Sequence, residues 1–248
     1  MIPEALQLLH EGLARQGPGS EASTRRAIGL LPALPPEPRV LDLACGPGAQ
    51  TLVLAQTLRT PVTAIDIHQP FLDQLDEAAA ELGLADLIET RNLSMNALDD
   101  PLESIDLIWC EGAVYLLGVG AALRSWRPFL RARGIVAFTE CTWLTESPPP
   151  EASAFWAEAY PAMATIAGNT ATVVGEGYET IATFPLPAED WWAHYYSPLQ
   201  KRIDALRGRA AENADWRAVL DETQREIDLF ERYGDSYGYV FYLVRKPE

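Results

Sequence analysis

Two hydrophobic periods alternate along this chain. Between residues 40 and 140, short apolar runs are separated by stretches whose apolar positions recur every three or four residues, the pattern of strands alternating with amphipathic helices. The runs at 40–44, 62–66, 87–93, 105–110 and 134–140 predict five strands, the last preceded by a turn at 131–134. The segments 50–58, 69–82 and 120–129 predict helices, the second carrying Phe71, Leu72 and Leu75 on one face. Such βα alternation argues for a parallel sheet covered on both faces.

Helical spacing of Ile2, Leu6, Leu9 and Leu13 predicts an entry helix over 2–14. A Gly-Pro-Gly loop at 15–20 follows, then a helix over 20–31 that Pro32, Pro35, Pro36 and Pro38 bring to an end. Beyond residue 140 the texture changes. Prolines at 148–150 open a helix carrying Phe155, Trp156 and Tyr160; a strand is expected at 178–186, two or more helices across 189–231, and a final strand at 237–245. The division read from this is a single domain over 1–248. It comprises an N-terminal helical cover (1–31), a ligand-binding core (32–145) and a helical, aromatic insert with the last strands (146–248).

With 48% hydrophobic and 22% charged residues, the chain has the composition of an ordinary globular protein. No apolar run is long enough to span a bilayer, and the N-terminus lacks the basic and apolar regions of a secretory signal, so a cytoplasmic location is expected. With no such run a membrane partner is not expected, and a net charge of −16 repels phosphate backbones, which argues against nucleic acid, and would attract a cationic substrate. Cys45, Cys110 and Cys141 form an odd, irregular set that fits buried thiols better than disulfides or a zinc site. His10, His68 and His194 are scattered, and no metal site is expected.

The first strand ends in Asp42-Leu43-Ala44-Cys45-Gly46-Pro47-Gly48, a tight glycine turn before a helix. Glycines at 46 and 48 permit positive φ and close approach of a ligand to backbone amides. Asp42 is a carboxylate in an otherwise apolar strand, and an unpaired charge there is costly, so it is expected to face a polar ligand. Dinucleotide-binding dehydrogenases share this kind of turn, but Thr51 stands where their third glycine would be. Asp66 ends the second strand, where a carboxylate can accept both hydroxyls of a ribose or cap the following helix.

At Leu41, Asp42, Cys45, Gly46 and Gly48 the chain resembles the class I S-adenosylmethionine-dependent methyltransferases. Further segments, 15–20, 109–113, 140–143, Phe155-Trp156 and Trp191-Trp192, resemble a bacterial small-molecule subgroup whose substrates are uncharacterised. The resemblance spans nearly the whole chain. It implies a doubly wound, seven-stranded, mostly parallel α/β sheet of Rossmann-like methyltransferase type, with helical insertions toward the C-terminal half and a mobile N-terminal cover. It implies S-adenosylmethionine as cofactor, held by Asp42, Cys45, Gly46, Gly48, Asp66, Ile67, Ser94, Met95 and Glu111. Ser94 replaces the acid usual after the third strand; its hydroxyl or Asn96 can meet adenine, and Met95 can pack on the ring.

The same resemblance places Glu111 and Tyr115 beside the methionine part of the cofactor and the methyl acceptor, with packing the plainer role for Tyr115; Trp143 is taken as a third catalytic candidate from the aromatic cluster. Methyl transfer from a sulfonium is an in-line displacement in which orientation supplies most of the catalysis. A carboxylate, Glu111 or Glu140, can bind an amine acceptor and take its proton, while Glu111 as a helix cap or solvated acid is the plainer reading. Trp143, Phe155, Trp156 and Tyr160 fit either a lid over a flat or cationic acceptor or the core of an enlarged domain. His68 is expected in solvent. A small-molecule acceptor is the expected partner, and a homodimer is compatible with the pattern. A nicotinamide-dependent oxidoreductase, or a silent cofactor-binding regulator, is the alternative function.

Overall fold

Every residue of Val40–Leu43 (β1) and Ile105–Cys110 (β4) is buried, as runs covered on both faces require. These strands pair in parallel at the centre of one sheet. The computed structural model describes residues 4–210 and 213–248, so Ile2 of the expected entry helix lies outside the described residues. Val62–Asp66 (β2) and Ile88–Asn92 (β3) extend the sheet in parallel beyond β1, and Leu130–Trp143 (β5) extends it beyond β4. Tyr237–Arg245 (β8) runs antiparallel between β5 and Glu179–Pro185 (β7), completing the order β3-β2-β1-β4-β5-β8-β7. This is the expected seven-stranded, mostly parallel sheet, with one addition. A two-residue strand, Ala164–Thr165 (β6), pairs with the end of β5.

Glu21–Gly29 (α2), Ala49–Leu58 (α3) and Gln69–Glu81 (α4) cover one face. Ala27 and Leu54 pack on Val62, and Leu72 and Leu75 pack on Ala64, two residues further along the same strand face. Val119–Trp126 (α5) and Ile166–Gly175 (α7) cover the opposite face through Leu123, Trp126 and Val173 against Ile108, Phe138 and Tyr242. Glu4–His10 (α1), Pro150–Ala159 (α6), Ala188–Trp191 (α8), Ser197–Ala210 (α9) and Ala214–Tyr233 (α10) share a third core around Trp191, Phe230 and Tyr237. Cys141 near the end of β5 joins that core. Phe155 is buried within it, while Trp143, Trp156 and Tyr160 are partly buried at its margin, so the aromatic insert is mainly core.

Three local differences have physical causes. The entry helix ends at His10, because the chain turns at Gly12 with φ +73°. The turn expected at 131–134 is an outward bulge within β5. Ile105 pairs with Leu130 but Leu107 with Ile135, and Arg133 absorbs the excess at φ +62°. The strand continues past 140 because β8 pairs with it from Ile135 to Trp143. The helix α7 had no counterpart in the sequence pattern.

Strand order reverses between β1 and β4, which opens a crevice at the carboxyl ends of the strands. Among the described residues no helix is long and apolar enough to cross a membrane.

Candidate active site

The turn after β1 spends its polar groups internally. The Cys45 amide donates to Ile65 O (3.0 Å), the Gly46 amide to Asp66 Oδ2 (2.9 Å) and the Gly48 amide to Cys45 O (3.0 Å), while Pro47 has none. Gly46 and Gly48 have φ of +55° and +83°, and a Cβ on Gly48 would overlap the Leu75 side chain. Gly48 is therefore required by the packing of α4 against the turn and by its positive φ.

Asp42 differs from expectation. It is wholly buried, accepting from Thr51 Oγ1 (2.5 Å) and Gln50 Nε2 (3.4 Å), and so ties β1 to α3 instead of facing a ligand. Burial drives its carboxyl up to about 7 despite the Thr51 bond that lowers it. The Cys45 thiol, expected at the cofactor, packs among Ala64, Leu72 and Leu75, and desolvation pushes its pKa up. Only its backbone borders the crevice turn.

Asp66 is half-buried at the end of β2. Its second oxygen accepts from the His68 amide at 2.8 Å, so two backbone donors aim the carboxylate. Each oxygen retains a further lone-pair site. Ile67 beside it is 69% exposed. His68, expected in solvent, is half-buried and meets the Phe71 ring edge-on at 4.5 Å. After β3, the Ser94 hydroxyl donates to Asn96 Oδ1 (2.8 Å). Met95 is turned into the core, where its carbonyl accepts from the Trp126 indole (2.8 Å), and does not offer its side chain to a ligand as expected.

Beyond β4, Glu111 is fully engaged. Its carboxylate accepts from Arg15 Nη1 (3.0 Å), Thr24 Oγ1 (2.7 Å) and Trp109 Nε1 (2.9 Å), with its side chain 4% exposed. The expected proton acceptor is thus an anchor for the N-terminal segment. That segment lies over the glycine turn: Gln16 Cγ is 3.6 Å from where a Gly46 Cβ would be, and the Gly19 amide donates to Asp190 O at 3.3 Å. The Ser23 hydroxyl adds a 2.5 Å bond to Asp190. The sequence marks Arg15 and Gln16 only as part of the segment 15–20 that carries the resemblance, and gives no sign of Thr24 or Asp190, because the partners of these side chains lie far along the chain.

The remaining edge is aromatic and acidic. Tyr115, 46% exposed, meets Tyr160 edge-on at 6.0 Å, and Trp143 meets Tyr237 at 5.9 Å. Trp143, Trp156, Tyr160 and Met163 line a hollow of about 120 Å³. Glu140 on β5 is 2% exposed, and among the described residues neither of its oxygens closes a hydrogen bond. Desolvation raises its carboxyl to about 7, offset only in part by the neighbouring Tyr160 phenol and Cys141 amide. Among the described residues no three His, Cys, Asp or Glu side chains converge as metal ligands.

Residues 40–134, from β1 into β5, match the family model of a methyltransferase domain. The chain thus carries an S-adenosylmethionine-dependent methyltransferase domain. This methyltransferase is 24% identical over 243 residues to the 27-O-demethylrifamycin SV methyltransferase of Amycolatopsis mediterranei, covering 92% of this chain and 85% of that protein. Its fold superposes with a TM-score of 0.83 on an S-adenosylmethionine-dependent methyltransferase from Geobacter sulfurreducens, solved with S-adenosylhomocysteine, at 20% identity over 100% and 99% of the two chains. It also superposes on the cyclase SpnF at 0.77, with 17% identity over 98% and 91%. A sheet that carries both chemistries leaves the reaction to be argued from the methyltransferase's own side chains.

Proposed function

We propose that this methyltransferase holds S-adenosylmethionine across the β2-β1-β4 edge and passes its methyl group to a small-molecule acceptor bound beside β5. One observation carries the choice of cofactor. From Cys45 through Gly48 no backbone N–H is left for a diphosphate, whereas Asp66 is aimed by two amides with lone pairs to spare for a diol. That pairing suits an adenosyl group and disfavours a nicotinamide dinucleotide. In this reading Asp66 binds the ribose, Ile67 covers one face of adenine, and the Ser94–Asn96 pair meets its edge. Glu111 is a positioning residue that closes the Arg15–Gly19 segment over the cofactor. Tyr115 and Trp143 wall the acceptor side, where orientation and exclusion of water favour in-line transfer.

The relative from Amycolatopsis is named for a small-molecule acceptor, 27-O-demethylrifamycin SV, which supports the same class here. The acidic chain supports it too, by disfavouring nucleic acid. Three free, buried cysteines suit a reducing, cytoplasmic compartment. Residues 32–145 serve in this reading as the cofactor-binding core and 146–248 as the acceptor side, in one domain. Calorimetry tests the cofactor assignment. Saturable binding of S-adenosylmethionine and S-adenosylhomocysteine with no response to NAD is expected; NAD binding without either adenosyl compound would overturn it.

A further inference from the structure

Two carboxylates stand near the carboxyl ends of neighbouring strands, Glu111 just beyond β4 and Glu140 within β5, and the structure separates them. Glu111 has three donors, one of them cationic. Glu140 is almost completely enclosed, among the described residues with no cation beside it and only the Tyr160 phenol and the Cys141 amide as neighbouring donors, neither in full hydrogen-bond geometry. Burying an ionisable group with so few donors costs several kcal/mol, which a protic ligand group at this edge would offset.

Position fits that use. Glu140 lies two residues beyond Phe138, which pairs with Cys110, the last residue of β4. Across the edge the order is β2, β1, β4, β5, so Asp66 and Glu140 stand three strand spacings apart, roughly 14 Å. A cofactor anchored at Asp66 and laid over β1 brings its far end to β4, adjacent to Glu140. Cys110 of β4 and Tyr242 of β8 share its face of the sheet, Tyr115 of the turn after β4 and Tyr160 after α6 lie near it, and Cys141 of β5 and Tyr239 of β8 sit on the opposite face. All six are neutral acids near pH 7, and none is cationic.

Building on the methyltransferase reading, we propose that Glu140 binds the protic group of the acceptor, an amine N–H or a hydroxyl O–H, and takes its proton during transfer. The lone pair of the acceptor nitrogen or oxygen forms the bond to the methyl carbon. The carbon–sulfur bond breaks with its electron pair going to sulfur, and the acceptor's proton passes to a Glu140 oxygen. A sulfonium and a carboxylate thereby become a neutral thioether and a neutral acid. Tyr115 and Tyr160 flank the incoming group, and their faces suit an aromatic acceptor or the positive charge that builds on a neutral amine nitrogen during transfer.

The test compares wild type with Glu140→Gln and Glu140→Asp. Calorimetry with S-adenosylmethionine comes first: loss of binding in wild type refutes the cofactor reading, whereas retained binding in all three isolates the role of Glu140. Methyl transfer is then assayed by product mass against phenols, alkylamines and benzylamine, with thiophenol and indole as acceptors that need no such base or react at carbon. The expected result is phenol or amine methylation that falls at least a hundredfold in Glu140→Gln, partly returns in Glu140→Asp, and loses its acid limb near pH 7 in the Gln variant. Transfer confined to sulfur or carbon, or activity in Glu140→Gln within twofold of wild type, would overturn it. If no acceptor turns over, infrared titration of the S-adenosylhomocysteine complex decides. A carboxyl band that ionises near pH 7 and is absent from Glu140→Gln supports the proposal; full ionisation already at pH 5 refutes it.

Discussion

The Arg15 guanidinium meets the Glu111 carboxylate at 3.0 Å, joining the N-terminal segment to the end of the central strand, with the two side chains only 10% and 4% exposed. Removing one member of such a pair strands a buried charge, which costs far more than the pair is worth. Arg15→Met is expected to lower stability by about 3 kcal/mol, and Arg15→Met with Glu111→Gln to recover most of it. Denaturant midpoints of the single and double variants measure this. Additive losses would mean that the two side chains do not depend on each other.

Gly48 combines a positive φ with direct contact to Leu75. Gly48→Ala is expected to cost roughly 2–4 kcal/mol, from left-handed strain and from overpacking together. Adding Leu75→Ala removes the clash but leaves the strain and opens a cavity, so the double variant should stay well below wild type while losing less than the sum of the two single changes. Thermal unfolding of the four proteins tests the coupling.

Asp42 makes stability depend on pH in an unusual direction. Its carboxyl lies near 7 in the folded protein against 3.8 for the free group. Between those values the native state holds a proton that the unfolded chain has released. Its contribution is therefore fully present below about pH 4 and lost as the pH rises through 7. The stability of wild type relative to Asp42→Asn should fall by on the order of 3 kcal/mol from pH 4 to pH 8. Thr51→Val removes the bond that favours the charged form and should steepen that fall. A difference that stays flat with pH would refute the raised carboxyl.

Asp66 offers the clearest cofactor test. Asp66→Ala removes charge-assisted bonds to the ribose and is expected to weaken S-adenosylmethionine binding by about 1–3 kcal/mol. Ile67→Ala, which touches neither amide on Asp66, should weaken it less, through lost apolar cover alone. Calorimetric dissociation constants distinguish these outcomes, and an unchanged value for Asp66→Ala would refute the ribose assignment.

The alternation of strands and helices could be read directly from the sequence, because side-chain periodicity is a local property. The strands at 62–66, 105–110 and 237–245 have the observed bounds. The glycine turn was equally legible, and with it the family, since apolar strand, acid and paired glycines are all neighbours along the chain. Partners were not. Asp42 looked like a ligand contact until Thr51 and Gln50 folded back onto it, and Glu111 looked like a free acid until Arg15, 96 residues away, reached it. Only tertiary packing could decide which carboxylates are fully satisfied, like Glu111, and which, like Glu140, are buried with few donors. Desolvation and hydrogen-bond supply depend on what the rest of the chain brings within a few ångströms, and periodicity carries no record of that.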